Sequence, residues 1–104
     1  MILLDYVGNR GLRLPREGFS DVGLWARLRA AAERAGQGRF FPATTEESIY
    51  DDHYPFLQRG IPAIDLIDWS YRPCDDKPCD NLSKISQRSL DATGESVLEL
   101  LRTL

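Results

Sequence analysis

The stretch Ser48-Ile49-Tyr50-Asp51-Asp52-His53-Tyr54-Pro55-Phe56-Leu57-Gln58-Arg59-Gly60-Ile61-Pro62-Ala63-Ile64-Asp65-Leu66-Ile67-Asp68 decides the fold. Pro55 suits the first turn of a short helix, where its missing N–H is no loss, and Gly60 suits the left-handed residue just past the end. Asp52 or His53 then sits at the helix N-terminus. Ile61 to Asp68 is an apolar run that ends in carboxylates, the pattern of a buried strand. Upstream, Ile2-Leu3-Leu4-Asp5-Tyr6-Val7 is a second such run, stopped by Gly8 and again carrying a carboxylate near its end.

The other elements arrange themselves around these two strands. Residues 8–20 are rich in Gly, Arg, Pro and Asn and predict a loop. Residues 21–35 predict a helix: Ser20 or Asp21 caps it, Leu24, Leu28, Ala31 and Ala35 recur at helical spacing, and Gly36 ends it. Phe40-Phe41 suggests a short strand inside the loop 37–47. After a polar loop over 69–85, Ser86 or Ser89 opens a last helix with Leu90, Val97, Leu98, Leu101 and Leu104 along one face. Strands followed by helices predict one small α/β domain over 1–104, with a mostly parallel sheet of few strands and flanking helices. A sheet that thin leaves a strand edge open to a partner, either a second copy or a complementary segment.

Composition sets the bounds. The chain has 104 residues, 42% apolar and 28% charged, so a modest core is within reach and disorder is excluded. Net charge is −3 and the arginines are scattered, with Arg27, Arg29 and Arg34 on a solvated helix face, which argues against a nucleic-acid partner. No apolar run approaches the roughly 20 residues of a membrane span. Met1 to Asp5 has no basic n-region and does not read as a signal peptide; its start on a buried-looking strand suits a fragment. The compartment stays open.

Ligands of open α/β sheets collect at the C-terminal ends of the strands. Asp5 lies near one such end, Asp65 and Asp68 near another, and Asp51, Asp52 and His53 lie just before the second strand. Two adjacent carboxylates and an imidazole can supply metal ligands, a proton relay or a helix cap. On the residues alone, Asp52 as a cap and His53 as a packed, hydrogen-bonded residue are the commoner outcomes. Asp75, Asp76 and Asp80 could hold a hard cation or form a solvated loop. Cys74 and Cys79 allow a local disulfide or two free thiols. They lack the two further ligands of a structural zinc site, because His53 is the only histidine.

Three blocks together resemble successive motifs of the zinc exopeptidase superfamily, which includes bacterial aminopeptidases and glutaminyl cyclases. They are Leu3 to Gly8, Ser48 to Leu57, and Gly60 to Asp68. The closing segment from Cys79 to Leu90 resembles that family's end, where a loop meets the last helix. The resemblance covers essentially the whole chain. It is most specific in Asp51-Asp52-His53-Tyr54-Pro55-Phe56-Leu57 followed by Gly60-Ile61-Pro62-Ala63. It implies part of a three-layer α/β sandwich, zinc as the cofactor and a peptide as the substrate, in a family often secreted or envelope-associated. It implies that Asp5 is a metal ligand, as in the aminopeptidases, or a member of a carboxylate relay, as in the cyclases. It carries the relay aspartate onto Asp52, with Asp51 and His53 as supporting residues.

The departures bear on activity. The resemblance places the family's first histidine ligand, bridging aspartate and paired glutamates, one of them the general base, in an N-terminal half that this chain does not contain. Glu46-Glu47 lies in a loop and does not match that glutamate pair. Where the family has its last histidine ligand, the sequence reads Cys74-Asp75-Asp76-Lys77-Pro78-Cys79, with Asp76 at about the ligand's position. A catalytic zinc needs about three protein ligands and an open position. The expectation is therefore a truncated or partial homologue, inactive alone. A non-catalytic α/β binding or oligomerisation module is the alternative, and a hydrolase assembled in an oligomer is the third.

Overall fold

The computed structural model describes residues 1–104. Strand β1 (Ile2–Asp5) and strand β2 (Ile64–Ile67) pair in parallel, with Ile2 opposite Ile64 and Asp5 opposite Ile67. Helix α1 (Val22–Arg34) lies between them in sequence, then the short helix α2 (Tyr54–Gln58), and helix α3 (Gln87–Leu101) closes the chain. The expected α/β class and parallel pairing hold.

Alternation along the strands sorts the sheet into two unlike faces. Ile2, Leu4, Ile64 and Leu66 point one way. Ile64 and Leu66 are fully buried there against Leu28, Ala31, Ala92 and Leu100 of α1 and α3. Leu3, Asp5, Asp65 and Ile67 point the other way, toward the segment that enters α2. One face is thus an apolar core and the opposite face carries carboxylates.

The helix boundaries follow from local chemistry. The Asp21 carboxylate accepts the Leu24 N–H at 2.7 Å and so caps α1, while Gly36 takes φ +74° beyond its end. Gly60, at φ +73°, plays the same part after α2. Neither Asp52 nor His53 caps α2 with its side chain, which corrects the expected cap. Instead Asp51 Oδ1 accepts the Asp52 N–H at 2.8 Å, and Asp52 itself is exposed.

Four further expectations change. Phe40 belongs to a 3₁₀ turn (Gly38–Phe40), not a strand; Phe41, fully buried, packs its ring near Trp25. The polar loop after β2 contains two 3₁₀ turns, Trp69–Cys74 and Leu82–Lys84. Helix α3 buries Ser89, Ala92, Thr93, Ser96 and Leu100, whereas Leu90, Leu98, Leu101 and Leu104 are exposed. Small residues let α3 approach Ala31 and Ala32 of α1 closely, and the hydroxyls are satisfied locally: Ser96 Oγ donates to the Ala92 carbonyl and Ser89 Oγ to that of Asn9. The α1 arginines are not simply solvated. Arg34 pairs with Glu99 at 3.0 Å, and Arg29 donates to the Phe41 carbonyl.

Candidate functional site

The carboxylate face is built by three segments converging on β2. The loop 17–21 runs along the outer edge of β2: Ser20 Oγ accepts the Asp65 N–H at 2.9 Å, and the Asp21 N–H donates to the Ala63 carbonyl. The segment 48–53 lies over the face. The end of β1 brings in Asp5.

At the centre is Asp51. Its carboxyl lies within hydrogen-bonding reach of both Asp5 and Asp65. Burial raises the Asp5 carboxyl above its ordinary value, and the charge and hydrogen bond of Asp51 raise it further. Asp65 is fully buried, and burial together with Asp51, Glu17 and Asp5 pushes it up to about 8. A carboxyl–carboxyl hydrogen bond requires a proton. The raised value of Asp65 favours its protonated form toward Asp51, and the shift at Asp5 runs in the same direction. Asp52, expected to be the relay member, is exposed, and the aspartate within reach of Asp5 and Asp65 is its neighbour Asp51.

Behind the carboxyls lies a second buried group that sequence reasoning missed. Glu17 is 1% exposed, and its carboxylate accepts from the Phe19 N–H at 2.8 Å, the Ile49 N–H at 2.8 Å, and the Ser20 N–H and Oγ at 2.9 and 3.0 Å. His53 Nε2 lies 2.8 Å from the same carboxylate, and its Nδ1 lies 3.8 Å from Asp65 Oδ2. His53 is fully buried, as a packed, hydrogen-bonded histidine should be. Glu17 sits in what reads as an ordinary polar loop, so only its fold-wide contacts reveal it.

Gly18 lets the two loops close over this group. A Cβ there would stand 2.3 Å from Ser48 Oγ and 2.8 Å from the Ser48 backbone nitrogen. Gly18→Ala should therefore push the 48–53 segment outward and cost about 1–3 kcal/mol, as overpacking does. Urea unfolding of the variant checks this.

Aromatic side chains border the carboxyls. Tyr6 adopts φ +48°, a left-handed conformation that a tyrosine holds only at a cost. Its ring stacks near Trp69 and meets the edge of Tyr71. Burial and the neighbouring Asp75 carboxylate raise the Tyr6 phenol well above its ordinary value. Tyr71 donates to Asp80. Cys74 and Cys79 are joined in a disulfide, with Cα atoms 5.5 Å apart. Asp76, in the loop this bond closes, takes φ +55°.

The side chains present do not make a zinc site. No three His, Cys, Asp or Glu side chains converge as metal ligands. Asp5 lies within reach of Asp51 and Tyr6 within reach of Asp75, and Tyr71 donates to Asp80. No helix is long and apolar enough to cross a membrane.

Known proteins share this fold. The chain is similar to a glutaminyl cyclase from an Acidobacteriales bacterium, with 31% identity and a TM-score of 0.87 over 98% of this chain and 37% of that one. It is similar to a leucine aminopeptidase precursor from Bacteroides thetaiotaomicron, with 34% identity and a TM-score of 0.86 over 95% of this chain and 36% of that one. A Zn-dependent exopeptidase from Parabacteroides distasonis matches at 29% identity and a TM-score of 0.84, over 96% of this chain and 38% of that one. The chain thus spans under two fifths of the length of each of these structures. No curated protein matches it. The model of peptidase family M28 matches residues 1–101. A two-stranded parallel sheet with this helix order, matched over nearly its whole length by that model and by these structures, makes the chain a member of peptidase family M28, a zinc-dependent family.

Proposed function

We propose that this chain carries the carboxylate-relay portion of an M28-type exopeptidase or glutaminyl cyclase-like site and is inactive alone. The observation that carries this is the Asp5–Asp51–Asp65 group at the end of β1, with raised values at Asp5 and Asp65. Protons held on buried carboxyls at the rim of a sheet can be passed to or from a bound peptide's reacting group. Asp51, within reach of both, gives each of these protons an acceptor.

Zinc would be held only with ligands from outside these 104 residues. The family resemblance would give one ligand position to Asp5 and another to Asp76, each needing its carboxylate free of a proton, with the remaining ligands and the general base from elsewhere. The peptide substrate and the choice between hydrolysis and cyclisation belong to that larger site.

A surface feature supports a partner that completes the domain. Strand β1 has β2 on one side only, so its other edge is open. Beside it an apolar groove of about 860 Å³ is lined by Met1, Ile2, Leu4, Ile61, Val97 and Leu101. A free strand edge next to an apolar groove is the surface a further strand of a parallel sheet would cover. The same surface would also serve a non-catalytic binding or oligomerisation module.

The purified chain is expected to show no hydrolysis of aminoacyl anilides, no cyclisation of N-terminal glutamine and no stoichiometric zinc. Co-production with the complementary portion of a family M28 domain should restore zinc binding. Stoichiometric zinc on the chain alone, lost in Asp5→Asn, would overturn this reading.

A further inference from the structure

The relay reading gives no part to one fully buried ionisable pair, Glu17 and His53, which are 1% and 0% exposed. Four of the five bonds to the Glu17 carboxylate come from groups that can only donate there: the Phe19, Ser20 and Ile49 N–H groups and the Ser20 hydroxyl. The Ser20 hydroxyl has its acceptor side occupied by the Asp65 N–H, so its proton is free for Glu17. A carboxylate fixed by four donors presents an acceptor to whatever meets it next. His53 Nε2 meets it at 2.8 Å and must supply the proton. In the neutral ring the other nitrogen, Nδ1, is then bare. It is buried, has no hydrogen-bond partner, and faces Asp65 Oδ2 at 3.8 Å.

We infer that Glu17 is the positioning residue of the buried end of the carboxylate relay: it locks His53 as the Nε2–H tautomer and so turns an acceptor nitrogen toward Asp65. A bare Nδ1 lone pair facing Asp65 disfavours the negative charge of the carboxylate and gives it no donor, so the neutral carboxyl is favoured with its proton left for Asp51. This sustains the Asp65-to-Asp51 direction of donation. A flipped ring, or the opposite tautomer, would present an N–H to Asp65, stabilise its carboxylate and reverse the bond to Asp51. The same clamp ties the loop at 17–20, the segment at 49 and the edge of β2 into one unit, so the position of Asp65 and the identity of its proton have one origin. The inference deepens the relay reading and uses the same residues.

His53 is the only histidine, so its two nitrogens can be read without assignment. The ¹⁵N-labelled chain at neutral pH should give, in a long-range ¹H–¹⁵N spectrum, one protonated-type resonance for Nε2 and one bare-type resonance for Nδ1. Glu17→Gln, which replaces one acceptor oxygen with a donor, should give both tautomers in comparable amounts. Ser20→Ala, which loosens the same loop but leaves the Glu17–His53 contact, should keep the wild-type pair of resonances; a merely structural clamp would make the two variants alike. A wild-type ring protonated at Nδ1, or at both nitrogens, overturns the inference even if Glu17→Gln does not fold. So does an unchanged tautomer in a folded Glu17→Gln. None of these outcomes depends on activity or zinc, so the relay reading can fail in a reconstituted enzyme while this one stands, and the reverse.

Discussion

Glu17→Ala is expected to cost the fold roughly 3–5 kcal/mol, the range seen when one partner is removed from a buried, hydrogen-bonded charged group. The alanine leaves two part-buried N–H groups, those of Phe19 and Ile49, and the fully buried His53 Nε2 without an acceptor. It also frees the Ser20 side chain that holds the edge of β2. A domain of this size has only about 5–15 kcal/mol of stability in all. The variant should therefore unfold at a much lower urea concentration or fail to accumulate folded. A loss below 1 kcal/mol would mean that the five contacts do not coexist in solution.

The second large effect is a dependence of stability on pH that runs opposite to the usual carboxylate. Burial, then the Asp51 charge and hydrogen bond, then Glu17 and Asp5, raise Asp65 from 3.8 to about 8 in the folded chain. Between those values the folded state holds a proton that the unfolded chain has released. Stability falls with rising pH wherever the native state binds the extra proton. The contribution is complete below pH 3.8, drains away up to about pH 8, and is flat above that. Urea midpoints should therefore decline across that window. Asp65→Asn keeps the shape, removes the titration and should flatten the profile, so that the variant gains on the wild type as the pH rises. Parallel profiles for the two proteins would show that Asp65 titrates normally.

Much of the fold was legible. Both strands announced themselves as short apolar runs ending in carboxylates, and α1 was marked by Asp21 at one end and Gly36 at the other. The last helix was legible in extent but not in orientation. Its leucines suggested a buried face, yet the face against α1 is Ser89, Ala92, Thr93, Ser96 and Leu100. Close helix packing selects small side chains, and apolar periodicity cannot tell a face that packs on this chain from one left beside an open groove. Leu101 and Leu104 line that groove.

The site was legible in its ingredients and not in its wiring. Asp5, Asp51, Asp52 and His53 all stood out as residue types. Which of two adjacent aspartates turns inward depends on a turn that sequence does not encode locally: Asp51 Oδ1 accepts the Asp52 N–H, the Asp51 carbonyl accepts the Tyr54 N–H, and Asp52 is left outside. Asp65 was noted only as one of several carboxylates near a strand end. Its position as the second residue of β2, opposite Leu3, is what sends it to the face that carries Asp5. Glu17 had no local signal, because its five partners come from residues 19, 20, 49 and 53.

The central claim is that Asp51, hydrogen-bonded to both Asp5 and Asp65, organises the carboxyl group at the end of the sheet. The most direct measurement is the titration of the Asp65 carboxyl carbon by ¹³C NMR in the wild type, in Asp51→Asn and in Asp52→Asn. The wild-type midpoint should lie near 8, where burial and Asp51 hold it. Asp51→Asn, which removes a charge and offers an N–H donor to the Asp65 carboxylate, should lower that midpoint. Asp52→Asn should leave it in place. An ordinary carboxylate midpoint in the wild type, or a midpoint that follows residue 52 and ignores residue 51, would contradict the account.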